Sequence, residues 1–271
     1  MKLVLTTDNT QSLRTKIQLS SLIEHNILPD TILLHHAGLM NGLIMRYENY
    51  RKIFRDYRFF GIGEIIKRKI TPKANNYANG YNFPNYLTDK RIQEVNNLLK
   101  KVKIYHCRKI NHNSTINLLL NLRPDLVVCN SGLIGKRVID TGINFLNIHT
   151  SKLPDYRGMN NIEWALWHDE PIWCTVHKIA KEIDAGDILY QEKISNESDY
   201  EMLNKIDEFR EYYFQKSYAL IGKVVKKYVE GNINFVLQKN KNEPLGQYYV
   251  MHYALKEMLQ QKLEIRKKQS S

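Results

Sequence analysis

Five short apolar runs recur along the first 150 residues of the chain, at 2–7, 31–35, 102–105, 125–129 and 144–148. Each is brief and rich in Val, Leu and Ile, as a strand buried on both faces must be. Stretches of helical length separate several of them. Residues 12–25 put Leu19, Leu22 and Ile23 on one face, with Pro29 beyond the end. Residues 87–100 and 114–122 read as further helices, and Pro124 marks the junction into the fourth run. Alternating strands and helices dictate an α/β fold, a Rossmann-like, mostly parallel sheet flanked by helices. Such sheets collect ligands at the C-terminal ends of their strands, which directs attention to the loops after 129 and 148.

The remaining segments say less. Residues 37–86 have no clear period: 40–60 reads as helical, and the glycines at 61 and 63 lack the third glycine of a dinucleotide fingerprint and mark a turn. The basic, apolar stretch 62–70 reads as a surface helix. Downstream, alternation predicts strands at 173–179 and 188–194, one long helical stretch at 199–228, one or two short strands after 232, and a charged helix from about Met251. Neither an internal repeat nor a low-complexity linker is present. The expected organisation is a catalytic domain at 1–195 followed by a small C-terminal α+β extension at 196–271.

Charge and cysteines bound the function. The formal net charge is +12, with basic clusters at 51–73, 100–109, 223–227 and 262–268. These suit a polyanionic partner such as RNA, a nucleotide-sugar diphosphate or a membrane surface, or else they are solvated helix faces. No apolar run approaches the ~18 residues a membrane helix needs, and the N-terminus turns polar too early for a secretory core. Cys107, Cys129 and Cys174 are odd in number and scattered, against both a disulfide framework and a zinc site. The expectation is a cytoplasmic protein with reduced thiols and no metal.

The chemistry-bearing residues begin at the fifth run. In a strand, Asn147 and His149 fall on one face at its C-terminal end. A loop, SKLPDYRG, follows, stiffened by Pro154. Further on, Gly186 in IDAGD permits a turn that could return Asp184 to the same cleft. An amide donor and an imidazole side by side suit acyl transfer to an amine. The amide can steady the oxyanion of a tetrahedral intermediate, and the imidazole can move protons near neutral pH. A carboxylate within reach would orient the ring. No covalent nucleophile is required. Each residue alone has an ordinary structural reading; their ordered combination is the specific signal.

The run FLNIHTSKLPDYRG followed by EIDAGDILYQ resembles the formyltransferases that use N10-formyltetrahydrofolate, a family that includes methionyl-tRNA, glycinamide ribonucleotide and sugar N-formyltransferases. Asn147, His149, Ser151, Leu153, Pro154, Arg157, Gly158, Asp184 and Gly186 match its pattern, over roughly 125–194. The resemblance implies that Asn147, His149 and Asp184 are the catalytic trio. It also implies a folate pterin held between the loop at 131–136 and residues 179–184. Ser131, Gly132, Leu133, Ile134, Ile179, Ala180, Lys181, Glu182 and Ile183 would line that site. Core packing is the other reading of Leu133 and Ile134. Arg157, Met159 and Asn160, with Asn161 beside them, would lie where the acceptor binds. Trp164 and Trp167, three apart, read as core residues of a helix.

The sequence departs from the family's pattern at two places, of which the second bears on substrate. Thr150 stands where a proline often follows the histidine. The first loop, TTDNTQS, lacks the Gly-rich phosphate cradle of the glycinamide ribonucleotide enzyme, which argues against that acceptor. The favoured expectation is a sugar N-formyltransferase acting on a nucleotide-linked amino sugar, such as a dTDP- or UDP-4-amino-4,6-dideoxyhexose, for surface polysaccharide. The alternatives are a methionyl-tRNA formyltransferase and a non-catalytic relative. Resemblance further implies a homodimer; no nucleic-acid partner is expected.

Overall fold

The computed structural model describes residues 1–35, 86–130, 132–238 and 247–270. Its strands are β1 (Leu3–Thr7), β2 (Thr31–His35), β3 (Lys103–Cys107), β4 (Leu126–Cys129), β5 (Phe145–His149), β6 (Arg157–Gly158), β7 (Trp173–Lys178), β8 (Ile188–Lys193) and β9 (Gln247–Tyr248). Seven of these form one sheet in the order β3-β2-β1-β4-β5-β7-β8. The pairs from β3 through β5 are parallel. β7 runs antiparallel to both of its neighbours. The sheet is thus mostly parallel, as the strand–helix alternation predicts, and strand order reverses between β1 and β4.

Helices α1 (Leu13–Glu24), α2 (Asp89–Lys101), α3 (Asn113–Leu122) and α4 (Lys136–Ile139) connect the parallel strands. Ser12 caps α1 by accepting from the Thr15 N–H, and Thr88 caps α2 by accepting from the Arg91 N–H. α3 ends where Arg123 enters the left-handed region (φ 47°), ahead of Pro124. After β6 come α5 (Asn161–Trp167), α6 (Ser198–Met202), α7 (Ile206–Ala219), α8 (Ile221–Val229) and α9 (Tyr253–Ser270). Trp164 and Trp167 on α5 are partly buried and pack against the core.

Period 2 in the central strands divides the core. Leu3, Leu5, Leu126 and Val128 face one cluster, shared with α1, α2, α7 and α8. Val4, Leu33 and Val127 face a second, closed by Ile116, Leu119 and Val138 from α3 and α4. The first cluster is continuous across residue 195, because Phe209, Tyr213, Ile221, Val224 and Leu259 belong to it.

The single helix expected over 199–228 is three. The first break follows α6: Glu208 reaches back to accept the N–H groups of Asn204 and Lys205 and starts α7 afresh. The second lies at Leu220. There Ser21 Oγ donates to the Ala219 carbonyl and accepts the Gly222 N–H at 3.0 Å. A Cβ at Gly222 would stand 2.0 Å from the Ser21 carbonyl oxygen, so α8 touches α1 backbone to backbone. A local side-chain cap sets the first break, and a long-range contact, absent from local periodicity, sets the second. The readings made for 40–60, 61–63 and 62–70, and Ser131, lie outside the described residues. Among the described residues no helix is long and apolar enough to cross a membrane.

Candidate active site

β5 and β7 set the floor of the site. Their antiparallel register puts Asn147 opposite His177 and His149 opposite Thr175. Directly opposed residues share a face, so a second histidine joins the pair the sequence singles out. His149 and His177 are buried, whereas Asn147 is half-buried.

Asp184 enters from the β7–β8 connection with φ 51°, a left-handed conformation that Asp tolerates better than most residues. The turn behind it depends on Gly186, where a Cβ would lie 1.9 Å from the Lys178 carbonyl oxygen. Gln238 pins the same turn, its Nε2 donating to the carbonyls of Asp184 (3.1 Å) and Gly186 (2.7 Å). Arg157 Nη2 in turn donates to Gln238 Oε1 at 2.8 Å. From the other side, the Gly158 N–H donates to Asp184 Oδ2 at 2.9 Å. Gly158 itself has φ 99° and packs so closely on β9 that a Cβ would lie 2.2 Å from the Tyr248 carbonyl oxygen.

Carbonyl partners fix the imidazole tautomers. His149 Nε2 donates to the Tyr156 carbonyl at 2.7 Å, which Ser151 Oγ also reaches, so Nδ1 faces Asp184 Oδ2 at 3.6 Å. His177 Nδ1 donates to the Lys178 carbonyl at 2.7 Å. Its Nε2 then accepts from Asn147 Nδ2 at 3.2 Å and faces Asp184 Oδ1 at 3.6 Å. Burial pushes the His177 pKa down to about 4, with a further push from neighbouring His149 that the Asp184 carboxylate only partly offsets. His177 is therefore neutral near pH 7. It holds the Asn147 amide by its lone pair, leaving the second N–H of that amide for another acceptor.

A cleft opens above this floor, lined by Gly132, Leu133, Ile134, Asn147, His177, Ile179, Ala180, Lys181, Glu182, Ile183 and Asp184. The described residues expected around a pterin are thus brought together, beside Asn147 and Asp184. Leu133 is 75% exposed and Ile183 43% exposed, apolar side chains held open to solvent at the rim. Core packing is therefore not what Leu133 does. No described atom lies within 4 Å of where a Cβ of Gly132 would be, so packing does not hold the loop there. The loop is instead tied down by Asn111, whose side chain donates to the Leu133 carbonyl and accepts the Gly135 N–H.

The residues expected at the acceptor side divide. Arg157 is half-buried beside the Asp184 turn, its Nε buried and without a partner among the described residues. Met159 is exposed, its N–H bound to the Tyr248 carbonyl. Asn160 turns its amide inward, donating to Glu163 and accepting the Met251 N–H. Asn161 reaches the site instead: its Nδ2 donates to the Gly158 carbonyl at 3.1 Å and lies 3.2 Å from His149 Nε2. His177, Gln238 and Tyr248 went unread in the sequence. Only the alternation of 173–179, which shares a face between Thr175 and His177, offered a signal for the first.

Residues 75–213, just over half of the chain, match the family model described as formyl transferase. The chain belongs to the formyl transferase family. It is 34% identical over 129 residues to a methionyl-tRNA formyltransferase of Borrelia duttonii, a match covering 46% of this chain and 40% of that one. The chain spans less than two thirds of the length of the curated relatives it matches. Among solved structures, a 4-N formyltransferase from Francisella tularensis aligns with a TM-score of 0.51 at 17% identity, covering 96% of this chain and 87% of that one. Glycinamide ribonucleotide transformylase 1 from Symbiobacterium toebii aligns with a TM-score of 0.51 at 14% identity, covering 85% and 88%. At those identities the likeness concerns the fold.

Proposed function

We propose that this formyl transferase family member moves a formyl group from N10-formyltetrahydrofolate to the primary amine of a nucleotide-linked amino sugar. The observation that carries the reading is the Asn147–His149–His177–Asp184 cluster at the foot of the cleft formed by 132–134 and 179–184. The cleft fits a flat heterocycle: Leu133, Ile134 and Ile179 supply apolar walls, and the backbone of 179–184 supplies polar edges. These residues would hold the folate, which supplies an activated formyl group when bound.

The chain's own groups then have defined work. Transfer forms a bond from the acceptor nitrogen to the formyl carbon and breaks the bond to the donor nitrogen. A proton must leave the first nitrogen and reach the second. His149 carries that proton, oriented by the Tyr156 carbonyl and faced by Asp184. Asn147, steadied by neutral His177, donates a hydrogen bond to the carbonyl oxygen as negative charge gathers there. Gly158 and Gln238 keep Asp184 in place.

The acceptor side supports a small substrate. Tyr156, Trp164, His168 and Tyr248 form a ring-contact cluster, with Tyr156 and Tyr248 stacked at 5.0 Å. Beside it, Arg157 Nε is buried with no partner among the described residues, and a small turn of the guanidinium would offer it to an anionic oxygen. Residues 247–256 fold over the 156–161 loop, through β6–β9 pairing and through Trp164 Nε1 donating to the Tyr249 carbonyl. We infer a nucleotide sugar there, contacting Arg157 and Met159. The second reading, methionyl-tRNA, draws on the 34%-identical relative and on the net charge of +12.

Mass spectrometry discriminates them. The protein is incubated with N10-formyltetrahydrofolate and either a panel of dTDP- and UDP-4-amino-4,6-dideoxyhexoses or methionyl-tRNA. The expected product is a formylated sugar. Formylation of methionyl-tRNA with every sugar untouched would replace this reading by the second, and no formylated product from either would remove both.

A further inference from the structure

Asp184 stands between two histidines at separations that suit a shared ion better than a hydrogen bond. His149 Nδ1 lies 3.6 Å from Oδ2, and His177 Nε2 lies 3.6 Å from Oδ1. A charge-assisted N–H···O bond would close to about 2.7–2.9 Å. Two donors on one tetrahedral zinc ion, each about 2.0–2.2 Å from the metal, stand roughly 3.4 Å apart. All three ligand atoms, His149 Nδ1, His177 Nε2 and an Asp184 oxygen, fall within 4.8 Å of one another.

The ring partners agree with this. Each histidine donates its other ring N–H to a backbone carbonyl, His149 to Tyr156 and His177 to Lys178, both at 2.7 Å. Metal-bound histidines are held in that way, which turns the free lone pair toward the ion. Here both unprotonated ring nitrogens lie 3.6 Å from one carboxylate, that of His177 while accepting from Asn147, inside a wall where His149 is 5% and His177 2% exposed. The Gly158 N–H occupies one lone pair of Asp184 Oδ2 and leaves the rest of the carboxylate open. Asn147 Nδ2, 3.2 Å from His177 Nε2, has to move for an ion to enter. Rotation of that amide would exchange its N–H for its carbonyl oxygen, a fourth ligand.

We propose that His149, His177 and Asp184 form a binding site for a divalent ion of the zinc type. Two imidazoles and one carboxylate select a borderline-soft first-row ion over magnesium or calcium, which require oxygen shells. The expectation of no metal rested on scattered cysteines, whereas the donors here are histidines on paired strands. If the formyl-transfer reading holds, the ion inhibits, because it takes the lone pair with which His149 would move a proton. Binding itself does not depend on that reading.

The test therefore uses neither folate nor acceptor. Metal-free protein is titrated with cobalt(II) chloride in the visible range, then with zinc chloride by competition and by calorimetry. One cobalt per chain with intense tetrahedral absorption, displaced by one zinc, is expected. His177→Gln and Asp184→Asn should each weaken zinc binding by about 100-fold or more, since losing a ligand costs at least as much as losing the partner that orients one. His106→Gln, on the exposed face of β3, should bind as the parent does. Circular dichroism reports whether each variant is folded. Asp184→Asn decides if His177→Gln is not, because Asn retains both the left-handed turn and an acceptor for Gly158. Absence of one-to-one zinc binding in the parent protein, or undiminished binding in folded Asp184→Asn, would overturn the proposal.

Discussion

The two sides of the cleft are built in different ways. On the β5–β7 side, sheet register fixes the chemistry. Asn147, His149 and His177 project from paired strands, each imidazole has its tautomer set by a carbonyl, and Asp184 sits on a turn closed by Gly186. On the side proposed for the acceptor, positions are held largely by side chains from far along the sequence. Glu163, 1% exposed, accepts hydrogen bonds from Asn160, from Arg210 on α7 and from Lys256 on α9. Tyr248 and Met251 then close over the loop that carries Gly158 and Asn161. The first side is rigid because backbone ladders define it. The second has only a two-residue ladder, β6 on β9, and leans on one buried carboxylate and its cations.

The contrast can be broken most severely at Asp184. Asp184→Asn keeps the shape, the left-handed backbone and an acceptor for the Gly158 N–H, but removes the charge facing both histidines. Turnover should fall by about 10²–10⁴-fold, the range a positioned proton-transfer system contributes. The denaturation midpoint should barely move. Single-turnover kinetics with saturating folate would check this, and near-parent turnover would remove Asp184 from the mechanism.

Glu163→Gln probes the other side. Removing the buried charge of this cluster costs about 1–3 kcal/mol, less than in a fully buried set because Arg210 and Lys256 are 30% and 27% exposed, to be read in urea or thermal unfolding. Because the damage spreads to the loop of Arg157–Asn161, the KM for the acceptor should rise while that for the folate stays close to the parent's. Equal change in both would mean that the two sides are not separately held.

Legibility followed the same division. The strands, their order of appearance and the Asn147–His149 pair were readable because period 2 and short apolar runs are local signals. His177 was not, although it lies in a readable strand: its place beside Asn147 comes from antiparallel pairing with β5, which no local pattern specifies. Glu163 was unreadable for a related reason. A glutamate on a helix reads as solvent-facing until α7 and α9, from 40 to 100 residues downstream, bring Arg210 and Lys256 to it. Gly222 likewise explains why the long helix breaks at Leu220 only once Ser21 is seen against it.

His177 supplies a pH test of the β-sheet side. A histidine in an unfolded chain titrates near 6.5, whereas the native one, desolvated and next to His149, titrates at about 4. Between those values the unfolded state binds a proton that the native state refuses. The sign is therefore fixed: this group's stability contribution is fully present above about pH 6.5 and is lost as pH falls toward 4, by at most about 3 kcal/mol. His177→Gln has no proton to take up, so its unfolding free energy should vary less across pH 4–6.5 than the parent's. Parallel pH profiles would mean that His177 is accessible and ordinary.

The smallest expected effect lies at the rim, and it separates binding from folding. Leu133 is 75% exposed and rests on nothing that the core needs; its loop is held by the Asn111 amide at the backbone. Leu133→Ala should therefore change stability by less than about 0.5 kcal/mol, as surface substitutions do. If the side chain closes over a folate ring, truncation removes apolar area that is buried only on binding, worth about 1 kcal/mol or a several-fold rise in the folate KM. The acceptor KM should stay where it was, because Leu133 lies on the opposite wall from Met159 in this reading. An unchanged folate affinity, measured by fluorescence titration or by KM, would leave Leu133 as an exposed loop residue and shift the apolar contact to Ile134 and Ile179, which are half-buried in the same cleft.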